Sequence, residues 1–335
     1  MKRKLVGALA TARQDRLSAR ALTLSDLKSF TRTCYLASVI NTGVYRRLEN
    51  QPNRADLAAS IGVVHNERFD AWVNLGLSLK ELGERKNRLS ARGRRLKAIM
   101  TEDADILGSY RTAVQLEAPM YDNIIPLLTA AEDHDPHWAQ TRSYTSLLAK
   151  AAVVPTIKEA ATEAPNARFL EVGCHDGSFT ASILRARPAM TGIAIDVDSQ
   201  LLALTKQRLN NRGLGNRVET RLADPDSIDS GSFGLITLVN QISQVPSQDR
   251  EQYLRHIVEL LEPGGFLVIV SLVAGGTAAA ASIDFSLRTQ KDGGGLPTLR
   301  EIDQLLETCE LGVSHREQVL PSESLYAITA YRGWF

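Results

Sequence analysis

From Arg168 onward the sequence alternates short apolar runs with stretches of helical period, and this alternation restricts the fold more than any other feature. Phe169–Val172, Gly192–Ile195, Val218–Leu222, Leu235–Val239 and Phe266–Val270 read as strands, with helical patterns between them. Strands joined by crossovers of that length lie parallel, so a sheet covered by helices on both faces is expected. Thr298-x-x-Glu301 opens one more helix as a capping box. After it, Val313–Val319 and Leu325–Tyr331 alternate as two closing strands, paired as a hairpin across Pro321.

The first strand runs into R-F-L-E-V-G-C-H-D-G-S-F-T, residues 168–180. Gly173 and Gly177 let the backbone approach a ligand closely, and Ser178 begins a helix whose free N–H groups face the loop. A dinucleotide loop would read G-x-G-x-x-G. Here Glu171 precedes the first glycine, and an acid there repels phosphate but welcomes an ammonium. Asp196 ends the second strand 19 residues past Gly177, close to where an acid meets a ribose diol; Val197 follows it, and Asp198 is placed to cap the next helix. After the third strand, Asp224 in Ala223-Asp224-Pro225 either accepts from an exocyclic amino group or closes a simple Asp-Pro turn. Asn240-Gln241-Ile242-Ser243-Gln244 follows the fourth strand.

The N-terminal part is different in charge. Residues 1–100 hold 20 of the 39 Lys and Arg but 8 of the 38 Asp and Glu, an excess of 12 positive charges, and the remainder carries an excess of 11 negative ones. That asymmetry implies two domains and raises the question of a polyanionic partner. Ser25 is placed to cap a first helix. A short helix at Arg54–Ile61 and a longer one at Glu67–Leu82 follow, then the basic hairpin sequence E-R-K-N-R-L-S-A-R-G-R-R-L. The longer helix is nearly neutral and largely apolar, which suits a partner subunit better than a DNA groove. The basic cluster of Arg85, Lys86, Arg88, Arg92, Arg94, Arg95 and Lys97 leaves a solvated face, a phosphorylated substrate, an acidic carrier or nucleic acid open.

Residues 101–163 read as helices joining the two units, so the expected boundaries are 1–100, 101–163 and 164–335. His134 and His137 lie three apart, but Asp135-Pro136 between them favours a turn over a metal-binding helical face, and no metal is expected. Three widely spaced cysteines indicate neither zinc nor a disulfide framework, and they fit a reducing, cytoplasmic setting. The uncharged run Phe266–Ile283 is divided by Gly275-Gly276 and four alanines into a strand and a loop, so no membrane span is expected.

These residues carry a resemblance. E-V-G-C-H-D-G, G-I-A-I-D, L-A-D-P and L-L-E-P-G-G-F-L-V-I-V make residues 165–335 similar to the class I S-adenosylmethionine-dependent methyltransferases. Their fold is a Rossmann-like, mostly parallel seven-stranded sheet whose last strand is antiparallel. With the N-terminal part, which resembles a winged helix, the chain is similar to the small-molecule O-methyltransferase family, in which such a domain serves dimerisation. The resemblance implies S-adenosylmethionine as cofactor, a small-molecule acceptor and a homodimer. It places Glu171 near the methionine ammonium with the Gly173 backbone close by and His175 and Gly177 in the same loop. Asp196 falls at the ribose, Ala223, Asp224 and Pro225 at the adenine edge, and Asn240 near the methionine moiety, with Val197 and Gln241 also among the cofactor-binding residues.

The sequence departs from the family in two places. His175 stands where the family has a middle glycine, and no histidine follows the fourth strand, where family members that methylate phenols hold their base. The acceptor then arrives anionic, or is an amine, or is served by Tyr121, His134 or His137 of the joining segment or by Asp284 after the fifth strand. His256, in a helix beyond the site, reads as a surface residue.

Overall fold

The computed structural model describes residues 16–102, 104–122, 146–228, 231–275, 277–288, 294–319 and 324–333. The chain forms two compact units, Met1–Pro119 and Met120–Phe335.

In the first unit, α1 (Arg16–Asn41) runs straight through Ser25, which therefore does not cap it. No glycine or proline interrupts residues 16–41, and the helix stops only where Gly43 adopts a left-handed φ of 66°. Then come α2 (Val44–Arg47), α3 (Arg54–Ser60), capped by Asn53, and α4 (Asn66–Ser78). The hairpin of β1 (Leu82–Arg85) and β2 (Arg88–Ala91) turns at Lys86-Asn87, both at positive φ, as a two-residue turn between right-twisted strands requires. This is a helix-turn-helix followed by a two-stranded wing. Its core gathers Leu36, Val39, Leu57, Phe69, Val73, Leu82 and Leu89 with Leu96 and Ile99 of α5 (Arg94–Ile99). Arg54 ties α3 to α4 and the wing by bonding Asp70, Asn74 and Glu84. The polar face of α4 is thus occupied internally. Buried Glu81 pairs with Arg32 at 3.3 Å and accepts the Leu96 N–H at 3.2 Å, capping α5 from outside it. Beyond α5 lie α6 (Ala104–Thr112), a π-helical turn (Ala113–Glu117) and α7 (Ala118–Asp122).

The second unit opens with α8 (Ser146–Glu163) and continues as β3 (Arg168–Val172), α9 (Ser178–Ala186), β4 (Thr191–Asp196), α10 (Ser199–Asn211), β5 (Val218–Leu222), β6 (Phe233–Val239), α11 (Arg250–Glu259), β7 (Leu261–Leu272), α12 (Ala278–Arg288), α13 (Leu299–Thr308), β8 (Leu311–Gln318) and β9 (Leu325–Arg332). The strands form one seven-stranded sheet of order β5-β4-β3-β6-β7-β9-β8, antiparallel only where β9 meets β7 and β8. Every residue of β6 is buried, as a strand between two helical layers must be. Phe169, Leu235 and Val268 belong to the core shared with α8 and α9. Leu170, Ile236 and Ile269 face α11 and α13.

The caps expected at Asp198 and at Thr298 with Glu301 are present. The alanines after β7 are not a loop: Ala278–Arg288 is helix α12, which suits an alanine run and places Asp284 on a helix. Glu262-Pro263-Gly264-Gly265 lies within β7 as an irregularity, since Leu261 pairs with Phe233 and Phe266 with Leu235. No helix among the described residues is long and apolar enough to cross a membrane, and no cluster among them could hold a metal ion.

Candidate active site

In a parallel sheet the crevice beyond the strands' C-terminal ends is where side chains from different loops meet. Here β5, β4, β3 and β6 are neighbours, so the segments after them lie along one edge. That edge carries Glu171, Gly173, Asp196, Ala223-Asp224-Pro225 and Asn240-Gln241.

The loop after β3 has a backbone that side chains rarely tolerate. Gly173 and Gly177 sit at φ 69° and 70°, and a Cβ on Gly173 would come within 1.9 Å of Gln241 Nε2. His175, where the family has glycine, keeps the left-handed conformation at φ 51°, costing about 1–2 kcal/mol. Two bonds hold it there: its N–H donates to Asp196 Oδ2 at 3.0 Å, and its carbonyl accepts from Thr205 Oγ1 at 2.7 Å. The histidine therefore preserves the turn rather than displacing it. Asp176 accepts from the Ser178 N–H and hydroxyl and pairs with Arg208 at 2.8 Å, which fastens the loop to α10.

Glu171 is 1% exposed, deep in the apolar strand. Its Oε2 accepts from Thr180 Oγ1 of α9, while Oε1 is buried with no hydrogen-bond partner. Burial pushes its pKa up to about 8; the Thr180 bond opposes that shift, and nearby Asp176 and Asp196 add to it. Burial likewise raises the Cys174 thiol, which is inert there.

Asp196 is buried, and besides the His175 N–H it accepts the Asp198 N–H at 3.0 Å, so it braces the glycine loop against the end of β4. Val197 beside it is 57% exposed, an apolar surface at the mouth of the edge. Asp224 is exposed and caps the short turn Pro225–Ser227 by accepting the Ser227 N–H at 3.2 Å. Asn240 is buried at φ 53°, and its N–H donates to Val270 O at 2.7 Å. Gln241 is half-buried, with Nε2 donating to Val239 O at 3.3 Å.

Of the candidate proton acceptors, Tyr121 lies in α7, and His134 and His137 lie outside the described residues. Asp284 is engaged through both oxygens, by Arg288 at 3.0 Å and by the Leu296 N–H at 2.7 Å. His256 is not a free surface residue: it is half-buried and 3.0 Å from Pro225 O. Sequence reasoning missed it because a contact 31 positions away, made to a backbone carbonyl, leaves no motif.

The residues fit S-adenosylmethionine. A buried carboxylate oxygen lacks a partner beside the loop, a glycine leaves room where a side chain would collide, and the neighbouring strand ends supply carboxylates and an amide. This strand order, with a glycine loop after its first strand and acids after the next two, defines the class I S-adenosylmethionine-dependent methyltransferase fold. Residues 170–267 match the family described as "Methyltransferase domain", so the second unit contains such a domain.

Among curated proteins, "Methyltransferase GfsG" of Streptomyces halstedii is 32% identical over 112 residues, 33% of this chain and 39% of that protein. A carboxy-S-adenosyl-L-methionine synthase of Alteromonas mediterranea is 26% identical over 148 residues, 42% and 61% of the two chains. The chain thus spans less than two thirds of the length of these curated relatives. Among solved structures, mitomycin 7-O-methyltransferase MmcR shares the fold with a TM-score of 0.74 at 17% identity, covering 95% of this chain and 99% of that one. Human N-acetylserotonin methyltransferase in complex with S-adenosylmethionine does so with a TM-score of 0.75 at 13% identity, covering 94% and 98%.

Proposed function

We propose that the chain is an enzyme that transfers the methyl group of S-adenosylmethionine to an oxygen of a small molecule. The observation that carries this reading is the buried, unpartnered Oε1 of Glu171 beside the glycine loop, a site built for a cation. Glu171 would hold the methionine ammonium, with Gly173, Asn240 and Gln241 along the methionine and Asp196 at the ribose. Val197 and Ala223-Asp224-Pro225 would border the adenine. When bound, the cofactor supplies an electrophilic methyl carbon on a sulfonium.

The chain's contribution is chiefly alignment, since an in-line displacement gains most from holding the reacting atoms in register. Asn240–Gln244 offers no imidazole, and an amide is not a base at neutral pH. The acceptor therefore arrives ionised, as an acidic enol or carboxylate, or is served by Tyr121, His134 or His137. Asp284 is the weakest candidate because both of its oxygens are already engaged. Titration calorimetry with S-adenosylhomocysteine tests the cofactor site. A mass gain of one methylene unit on a panel of enols, carboxylic acids and phenols tests the transfer. Failure to bind the cofactor product would end this reading.

A homodimer formed through the first unit is supported by the outward apolar side chains of α1: Leu22, Leu24, Leu27 and Phe30 are all more than half exposed. The free cysteines favour a reducing, cytoplasmic compartment.

A further inference from the structure

Resting on the cofactor reading above, we infer that α11 is the element that sets the two halves of the nucleoside pocket. It does so through two positioning residues, Arg250 for the methionine end and His256 for the adenine end.

Arg250 is 2% exposed, among the largest fully buried side chains in the molecule. Its Nε donates to both Ile242 O and Val245 O at 3.1 Å, closing the turn that follows Asn240 and Gln241. Its Nη2 donates to Gly295 O, and its Nη1 pairs with Glu301 at 2.5 Å. A Cβ on Gly294 would meet Val245 O at 2.2 Å and Arg250 Nη2 at 2.7 Å, so the chain around the guanidinium is packed to contact. A buried cation is costly unless every donor is used, and here the acceptors include the backbone of the segment bearing Asn240 and Gln241. Asn240 holds a left-handed φ of 53° that something must stabilise. Two turns along α11, His256 Nε2 lies 3.0 Å from Pro225 O. A carbonyl only accepts, so this nitrogen carries the proton in the neutral ring as in the charged one. The bond ties down Ala223-Asp224-Pro225.

The helix is a fixed reference for both loops. Leu254 and Ile257 anchor it in the core, and Arg332 of β9 caps its far end by donating to Val258 O and Leu261 O. The post-β5 and post-β6 loops, on opposite sides of β4 and β3, are thus held at a set separation by one rigid body.

The test is calorimetric binding of S-adenosylhomocysteine, which spans both ends, and of adenosine, which reaches only one, to five proteins. Removing one such hydrogen bond is worth roughly tenfold in affinity. His256→Phe is expected to weaken both ligands by about that factor, and His256→Gln, whose amide can still donate, to restore them. Arg250→Lys, which cannot reach all four acceptors, should weaken S-adenosylhomocysteine about tenfold and adenosine less than twofold. Glu301→Gln breaks the ion pair but keeps the bonds to Ile242 and Val245; it should lower Tm while leaving both affinities within twofold. Wild-type affinities in His256→Phe and Arg250→Lys, or losses in all variants that merely follow Tm, would overturn the inference. A wild-type protein that binds neither ligand would instead overturn the cofactor reading beneath it.

Discussion

Raising the pH from 6 to 8 is expected to tighten S-adenosylmethionine binding by about 25-fold, nearly tenfold over the first unit and less over the second as the Glu171 carboxyl and the ligand's amino group both approach half-titration. The free protein holds a proton on Glu171 up to about pH 8, because the carboxyl is buried and faces Asp176 and Asp196 with only Thr180 to offset them. An ammonium against Oε1 favours the carboxylate, so binding below pH 8 must expel that proton. The ligand's own amino group loses its charge near about pH 8, so affinity should peak there and not plateau. Calorimetry at pH 7 in two buffers of different ionisation enthalpy should report close to one proton released per cofactor bound. Glu171→Gln should abolish both the release and the rise with pH, and bind weakly throughout. Wild-type affinity that stays flat between pH 6 and 8 without proton release would refute the reasoning. Stability follows the opposite slope. The unfolded carboxyl titrates near 4.5 and the folded one near 8, so the stabilisation by the protonated form is complete below 4.5 and lost as pH rises through about 8. Glu171→Gln should remove that decline, as denaturant melts at pH 5 and pH 8.5 would record.

Three further outcomes follow from the geometry. Gly173→Ala and Gly177→Ala, at positive φ with neighbours 1.9 Å and 2.9 Å from the new Cβ, should each cost about 1–3 kcal/mol in urea melts and reduce cofactor affinity, whereas His175→Gly should change stability by less than about 1 kcal/mol. Asp196→Ala should weaken cofactor binding and also lower stability by about 1–3 kcal/mol, since the His175 and Asp198 N–H groups lose their acceptor; an unchanged melt would contradict the bracing role. Leu27→Asp with Phe30→Asp should leave a folded monomer by light scattering if α1 is the dimer face.

The sheet was legible because buried parallel strands are apolar runs stopped by Gly, Asp and Pro, and four such runs, with the polar edge strand V-E-T-R-L among them, admit few folds. The placement of Glu171 was legible too, because a lone acid inside F-L-E-V must be either satisfied or poised. Helix α1 was harder: its mean hydropathic contrast is weak, and Ser25 resembles a cap although nothing before it halts a helix. Asp284 was expected in a loop because Gly275-Gly276 precedes it, while the alanines that follow have the strongest helix preference of any residue. Arg250 and His256 left no trace, since each binds main-chain oxygens that any sequence would present.

Strand β9 lies inside the sheet, between β7 and β8, although it is synthesised after both. Until residues 325–332 emerge, β7 ends in a bare row of peptide groups and β8 has no neighbour to join. The second unit's sheet thus stays open along one side until residues 325–332 are made, while the first unit, made of contacts within its own first hundred or so residues, is free to settle beforehand.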